Sequence, residues 1–461
     1  MALRPRRFPS PPLPVTLSMH PVPALSRPAA GGWDTLILVL ISVGLLFLLW
    51  LAVATPLMDP LTSAARAGRW GTFLVRPTVA WVAMGTFLLA VRTAMWTRYR
   101  PWPSLADDEA PAITVVIPAY NEGRMVESSI ESVVAARYPR DKLEVLVIDD
   151  GSTDDTWEHI ARAAARHPGV VRATRMPVNA GKRAALAAGC RAARGEILVT
   201  IDSDSVIEPG SLLAIAAPFR EPRIGAVAGK VAVYNRAESI LARMLHVRFI
   251  LSFDFLRSVQ STFGTVYCCP GALSAYRTQA FREVLERWEG QRFLGVPCTY
   301  GEDRALTNLM FERGYDAVYQ GTAVVHTVVP ETYSKLCRMY LRWNRSYVRE
   351  EVRFARLVWK RPAGKGLLAL IDTTVTNLRY PVAYVSIAFW LSQAVADPAT
   401  LLRMMVAIGA VSTFYMLYYL RSERSWDFLY GILYGYYSFF ALSWIFPYSV
   451  LTVRARGWLT R

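Results

Sequence analysis

"EILVTIDSDS", residues 196–205, decides how the middle of this chain is read. An apolar run, Ile197, Leu198, Val199 and Ile201, ends in two aspartates with one serine between them. A short apolar run bounded by turn residues reads as a strand buried on both faces. A second run ends the same way, with Leu146, Val147 and Ile148 leading into Asp149 and Asp150. Around these two, β-rich runs alternate with helical repeats. "AITVVIPAYNEG" is a strand broken at Pro118, and "MVESSIESVVAA" sets Met125, Ile130, Val133 and Val134 at helical spacing. "TWEHIARAAARH" and "KRAALAAGCRAA" read as helices, and "VVRATRM" as a short strand. This alternation predicts an α/β domain with a mostly parallel sheet covered on both faces. In such sheets ligands bind beyond the carboxyl ends of the strands.

If extended geometry persists past Ile201, Asp202 and Asp204 share a face. Carboxylates that close repel unless a cation or hydrogen bonds intervene. A few hard oxygen ligands suit Mg²⁺ or Mn²⁺ when a substrate's phosphates complete the shell. The same Asp-Ser-Asp-Ser letters also make a good polar turn. "NAGKRAALAAG", residues 179–189, puts small residues and Lys182 at a helix start, where free N–H groups and the dipole attract phosphate. Asn179 there is equally an ordinary N-cap. "YGEDRALTNLMFERG", residues 300–314, places Glu302 and Asp303 before an amphipathic helix. One of the two has the chemistry of a general base, and both also favour a helix N-terminus simply by charge.

The ends of the chain differ from its middle. Uncharged runs cover residues 35–58, 77–91, 380–396, 404–420 and 428–453. A bilayer core takes roughly 17 to 25 apolar residues, so transmembrane helices are expected at both ends, the second run with Arg92 snorkelling to the headgroups. Residues 1–34 hold eight prolines and read as a disordered tail. Arg4, Arg6, Arg7 and Arg27 precede the first run and predict a cytoplasmic amino terminus, with the large middle region on the same side. Pro447 inside the last run predicts a break there. The five cysteines form no CxxC pair, which suits a reduced compartment and gives no metal site. The +16 net charge is largely arginine flanking apolar runs, so the lipid bilayer, not nucleic acid, is the expected partner. In residues 335–349, Arg338, Arg342, Arg345 and Arg349 lie roughly opposite Leu336, Tyr340, Trp343 and Tyr347, the pattern of an interfacial amphipathic helix. Residues 239–259 are a second candidate for the membrane surface.

The set "VVIPAYNE", "VIDDGSTDD", "NAGKR", "TIDSDS", "CCPGALSAYR", "YGEDRALTN" and "LRWNRS", spread over about residues 112–351, resembles the family 2 inverting glycosyltransferases with a membrane pore. These include cellulose, chitin and hyaluronan synthases. The likeness is strongest to hyaluronan synthases, through "FLGVPCTYGEDRALTN", "LRWNRSYVREE" and the final "GWLTR", with nodulation-type chitin oligosaccharide synthases next. The resemblance implies a GT-A-like nucleotide-sugar-binding domain and a processive enzyme at the plasma membrane. It would polymerise UDP-sugars with its catalytic domain in the cytoplasm, and its partners would be UDP-sugar donors and a growing polysaccharide. It implies that Tyr120, Glu122 and Asp150 hold the uridine, that Lys182 contacts the donor and that Asp202 meets its ribose or phosphate side. Asp204 would coordinate Mg²⁺ or Mn²⁺, Cys269 would line the donor pocket and Asp303 would be the general base. Arg342 would face the diphosphate and Trp343 the acceptor sugar, and Trp458, Thr460 and Arg461 would close over the nucleotide. Met339 stands where the family has glutamine, and Leu459 where its terminal motif has glycine.

The implied layout is a tail (1–34), two transmembrane helices (35–97), a cytosolic catalytic domain (98–332) and amphipathic interface helices (333–377). A transmembrane region (378–453) and a closing motif (454–461) follow. A cytosolic carboxyl terminus needs an even number of C-terminal crossings, so either residues 367–377 join another crossing or one run fails to span.

Overall fold

The computed structural model describes residues 32–54 and 71–455. The expected nucleotide-closing residues Trp458, Thr460 and Arg461 lie outside the described residues, as does most of the N-terminal tail. Two helices, α1 (Gly32–Ala54) and α2 (Gly71–Arg98), come first. The strands are β1 (Ile113–Ala119), β2 (Leu143–Asp149), β3 (Val171–Arg175), β4 (Ile197–Thr200), β5 (Ser205–Ile207), β6 (Ile224–Val233), β7 (Ser274–Arg277), the hairpin strands β8 (Arg292–Phe293) and β9 (Val296–Pro297), and β10 (Asp316–Thr327). Among them run α3 (Met125–Val134), α4 (Thr156–Arg166), α5 (Lys182–Ala192), α6 (Ser211–Ala216), α7 (Ile240–Phe249), α8 (Leu256–Thr262), α9 (Thr278–Glu289) and α10 (Glu302–Glu312). The chain continues through α11 (Tyr333–Leu357), α12 (Ala363–Ala396), α13 (Ala399–Glu423), α14 (Phe428–Tyr437) and α15 (Ile445–Leu451).

One sheet has the order β3-β2-β1-β4-β7-β6-β10-β5. Its β3-β2-β1-β4 half is parallel, as expected. The other half is mixed, because β7 and β5 run antiparallel to their neighbours. Alternation along each strand builds the two cores. Val115, Ile117, Val147 and Val199 pack on one face with Ile130 and Val133 of α3 and Ile160 of α4. Val116, Leu146, Ile148 and Leu198 pack on the other with Leu186 of α5, Trp288 of α9 and Leu309 of α10. Each such side chain, fully buried, stabilises the fold by about 1.5–3 kcal/mol. The layer is tight at Gly189, where a Cβ would sit 2.4 Å from Val116 Cγ1. Gly189→Ala is therefore expected to lower the melting temperature even though alanine is the better helix former by ~1 kcal/mol, because overpacking costs roughly 1–3 kcal/mol. A rise in melting temperature would count against this packing.

Pro118 does not break β1, which runs on to Ala119 beside β2. Pairing of β1 with β4 ends at Val116 and Thr200. The carbonyl of Val116 accepts from Ile201 N and that of Ala119 from Asp150 N, so successive residues alternate between the two neighbours. The N–H that proline lacks would point to the β4 side, past the end of that ladder, so nothing is lost there. At this point β1 and β4 part. Connections from β1 lead one way to β2 and β3, and the chain returns to β4 on the other side, so a crevice opens at a topological switch point.

The C-terminal helices dock on this domain. Lys230 of β6 pairs with Glu423 of α13 at 2.9 Å, both side chains buried. Asp254 accepts from Ser422 at 2.9 Å and from Tyr319 at 3.1 Å. Residues 239–259 are mostly covered within the protein. Helix α7 is mostly buried between β6 and α14, with Val247 packed against Met416 and Tyr419 of α13. Arg92 does not snorkel either: it pairs with Asp372 of α12 at 2.6 Å and donates to Thr376. A buried partner within reach outcompetes the distant interface.

Residues 367–377 and 380–396 belong to one unbroken helix, α12, with Pro381 inside it, so the boundary expected at 377 falls in mid-helix. Among the described residues one helix, α13, is long and apolar enough to cross a membrane. The α14–α15 pair, bent by 43° at its break, makes a second if counted as one span. The bend is where Pro447 predicts it. A proline in a helix cannot bond the carbonyl four residues back, here Ser443, and that carbonyl instead accepts from Tyr384 Oη at 2.8 Å.

Candidate active site

Five segments meet at the crevice: the ends of β1, β2 and β4 and the starts of α5 and α10. "DSDS" does not continue extended. Strand β4 stops at Thr200, and Ser205 N bonds the carbonyl of Asp202 at 3.1 Å, closing a turn over residues 202–205. The polar turn and the acidic site are thus the same object. The turn rather than strand alternation sets the two carboxylates near each other, and serine's local hydrogen bonding explains why it forms.

Asp202 pairs with Lys182 Nζ, which also lies 3.3 Å from Glu302 Oε1. Lysine 182 is mostly buried, which alone would favour its neutral form. The carboxylates of Asp202, Glu302 and Asp303 outweigh that and hold it charged. Burial also works against ionised Glu302, yet Lys182, Arg342 and Arg183 hold its carboxyl below the usual range. Asp204 is different. Burial, then the charges of Asp202 and Glu122, push its carboxyl up to about 7, against Lys182 and a hydrogen bond from Ser205. Its Oδ1 accepts from the hydroxyls of Ser205 and Thr327, each at 3.2 Å.

Asn179 is not the N-cap of α5. Gly181 takes that position, and the N–H groups of Ala180 and Gly181 both donate to Asp150 at 2.8 Å. Asp150, 2% exposed, thus anchors the loop that presents Lys182. Asn121 adopts φ of +53° after β1 and is tied to the β2 loop, its N–H donating to Ser152 Oγ at 3.0 Å and its Oδ1 accepting from Thr153 N at 2.9 Å. This places Tyr120 and Glu122, both half-buried, at the end of β1.

Helix α10 is aimed by Gly301, which opens it at φ of +82°. A Cβ there would sit 1.9 Å from Ser346 Oγ of α11, so this turn requires glycine both for conformation and for space. Asp303 then projects beside Glu302. Its Oδ1 accepts from Arg304 N at 2.7 Å and its Oδ2 from the Cys268 thiol at 3.3 Å. Burial and the Glu302 charge raise its affinity for a proton, against Lys182 and both hydrogen bonds. Cys269, expected to line a pocket, is fully buried in the core with its N–H on Thr307 Oγ1 at 3.1 Å. The thiol that reaches Asp303 is that of Cys268, one residue earlier.

Helix α11 supplies Arg342, whose charge reaches Glu302, and Trp343, partly exposed and packed at 5.7 Å from Tyr340 and 6.0 Å from Phe249. Its basic stripe is not uniformly solvent-facing. Arg345 donates to Thr452 at 2.9 Å and Arg349 to the carbonyl of Tyr300 at 2.6 Å, both side chains buried. These arginines clamp the Tyr300–Asp303 turn and the start of the C-terminal segment. Arginine's fork suits such multi-acceptor sites, and sequence periodicity cannot separate a clamping arginine from a phosphate-facing one. Met339 is buried in the core.

Among the described residues no three His, Cys, Asp or Glu side chains form a ready-made metal cage. The donor set nonetheless fits a hard divalent cation of the low-ligand kind. Asp204 offers carboxylate oxygen and is crowded by the charges of Asp202 and Glu122, the setting in which a hard cation relieves repulsion.

A parallel half-sheet ending in an acidic crevice, with a mixed edge and a lysine-bearing helix start, is the GT-A-like glycosyltransferase fold. A mannosyltransferase from Pyrobaculum calidifontis, solved with GDP-Man and Mn²⁺, superposes with a TM-score of 0.55 at 22% identity, covering 78% of this chain and 98% of that one. Residues 114–285 match the model of glycosyl transferase family 2. An N-acetylglucosaminyltransferase of Mesorhizobium japonicum is 31% identical over 78% of this chain and 82% of its own length. A hyaluronan synthase of Streptococcus pyogenes is 30% identical over 81% and 88% respectively. The chain belongs to glycosyl transferase family 2 and is a glycosyltransferase.

Proposed function

We propose that this protein is a processive, inverting membrane synthase that builds hyaluronan from UDP-glucuronate and UDP-N-acetylglucosamine and passes it across the plasma membrane. The observation that carries the reaction type is Asp303, a carboxylate of raised proton affinity that feels the charge of Lys182 and stands next to Glu302, which Lys182 approaches to 3.3 Å and the charge of Arg342 reaches. Direct displacement needs a base for the acceptor hydroxyl and positive charge where the diphosphate leaves. UDP leaves as an anion, so no second carboxyl need act as acid, unlike glycosidases. Asp303 takes the acceptor proton, Lys182 and Arg342 face the departing diphosphate, and Asp202 holds Lys182 in place beside the nucleotide. Asp204 would hold a Mg²⁺ or Mn²⁺ ion, which supplies further charge neutralisation at the diphosphate. Trp343 offers its ring to the acceptor sugar. The single-span helix α13, the bent α14–α15 pair and the apolar N-terminal helices support a multi-pass arrangement with the catalytic domain in the cytoplasm.

The relatives support a second reading equally: an N-acetylglucosaminyltransferase making a chitin-type oligosaccharide. Membranes containing the protein are expected to make a hyaluronidase-sensitive polymer only when given both donors. A chitinase-sensitive product from UDP-N-acetylglucosamine alone establishes the second reading instead. A single-sugar adduct soluble in organic solvent would contradict both and point to transfer onto a lipid.

A further inference from the structure

The geometry points to Cys268 as a positioning residue that sets the orientation and basicity of Asp303, a role that rests on the reading of Asp303 as the base. The two oxygens of this carboxylate are held unequally. Oδ1 takes a strong backbone donor, Arg304 N, at 2.7 Å, fixed by helix α10 itself. Oδ2 takes only the Cys268 thiol, at 3.3 Å. A thiol is a weak donor. It therefore fixes the rotation of the carboxylate without quenching the basicity of the oxygen left for the acceptor. A hydroxyl, amide or ammonium in the same place would orient the group but lower its proton affinity further.

Cys268 is itself held for this task. Its neighbour Cys269 is pinned by the Thr307 hydroxyl, and Thr307 in turn donates to the carbonyl of Asp303 at 2.9 Å. The loop and the first turn of α10 are thus joined twice, once through main chain and once through thiol and carboxylate. Burial pushes the Cys268 thiol far up and the Asp303 charge adds to that, so it remains a protonated donor across the working range. The other groups that act on Asp303 include Glu302 and Arg304 on its own helix, and Lys182 from α5. Arg257 of α8, Cys269 and Tyr276 of β7 are also near enough to feel its charge. None of the latter three hydrogen-bonds the Oδ2 atom.

A hydrogen bond to the ionised form favours that form, so the thiol lowers the Asp303 proton affinity relative to a site without it. Removing it raises the folded-state value. The base works ionised, so activity is then lost at a higher pH on the acid side. One hydrogen bond corresponds to a displacement of about half to one pH unit. The experiment is the pH dependence of kcat/KM for sugar transfer in membranes carrying wild type, Cys268→Ala, Cys268→Ser and Asp303→Asn. The expected result is an acid limb displaced upward by that amount in Cys268→Ala, with kcat reduced and the donor KM little changed. Cys268→Ser, which restores a donor, should return the limb to the wild-type position or below it. Coincident limbs in wild type and Cys268→Ala overturn the inference, as does an upward displacement shared by Ala and Ser. Loss of folding in Cys268→Ala leaves the serine variant, whose limb above that of wild type also overturns it. Asp303→Asn separates the two levels. If it retains full activity, the base assignment fails. If it is inactive while Cys268→Ala behaves as wild type, only the role of Cys268 fails.

Discussion

Asp303→Asn is expected to reduce the rate of sugar transfer by roughly 10²–10⁴-fold, the range general-base catalysis contributes, with donor affinity nearly unchanged. Asparagine keeps the shape of the side chain and can still accept from Arg304 N, so helix α10 is undisturbed. What is lost is the oxygen able to take a proton. In the proposed mechanism the lost charge serves the acceptor, whereas Asp202, Asp204 and Lys182 serve the donor, so donor binding is expected to survive. The pH profile carries the same signature. Burial, with Glu302 next to it, raises the Asp303 proton affinity above that of an ordinary aspartate. Its folded-state value therefore exceeds the unfolded one, and the active ionised form is lost as pH falls through that raised value. The acid limb of wild type should lie above the ordinary aspartate range, and rates measured from mildly acidic to neutral pH check it.

Lys182→Ala is expected to cost roughly 10²–10³-fold in kcat/KM. Lysine 182 is the cation shared by Asp202 and Glu302, with Asp303 close enough to feel it. Removing one partner of a buried pair costs about 3–5 kcal/mol because the other charge is left uncompensated. Here two partners, Asp202 and Glu302, are stranded, and under the proposed mechanism the departing diphosphate loses a facing charge as well. Lys182→Arg should recover only part of the loss, since a planar fork does not replace a compact ammonium between two carboxylates. The stability effect has a sign. Glu302 is held below its usual range by Lys182 despite burial, so it contributes stability above the unfolded glutamate value and loses it as pH falls. In Lys182→Ala that contribution shrinks. The melting temperature should therefore drop at neutral pH and recover toward that of wild type in mild acid. Thermal unfolding at two pH values measures it, and equal drops at both would count against the pairing.

Strands β1–β4, their order of appearance and the acidic ends of β2 and β4 were legible in the sequence because they rest on local patterns: apolar continuity, helical spacing and turn residues. Strands β5–β10, short or paired antiparallel to a neighbour, were not read. The resemblance to family 2 glycosyltransferases was legible from short motifs in order. What the sequence did not show depends on contacts distant along the chain. The salt bridge of Glu302 to Lys182 joins residues on α10 and α5, and its only local sign was a carboxylate one residue before Asp303. The thiol on Asp303 belongs to Cys268 rather than Cys269, a one-residue register that only the packing of Cys269 into the core decides. Arg345 and Arg349 followed the same periodicity as Arg342, yet tertiary packing turned them inward as clamps. Pro118 looked like a strand breaker, and it sits where the β1–β4 ladder has already ended. Residues 239–259 pack against α13 and α14, elements about 150 residues further along, a cover that local periodicity does not reveal.

The proposed mechanism makes the crevice between β1 and β4 a metal-assisted nucleotide-sugar site. Calorimetric titration of UDP into detergent-solubilised wild type, with and without Mn²⁺, tests it most directly when repeated with Asp204→Asn. UDP is expected to bind tightly only with the metal, and chelation or Asp204→Asn to weaken binding by at least about tenfold, close to 1.4 kcal/mol. Equal UDP affinity in all conditions, or binding unaffected by Asp204→Asn, would contradict it.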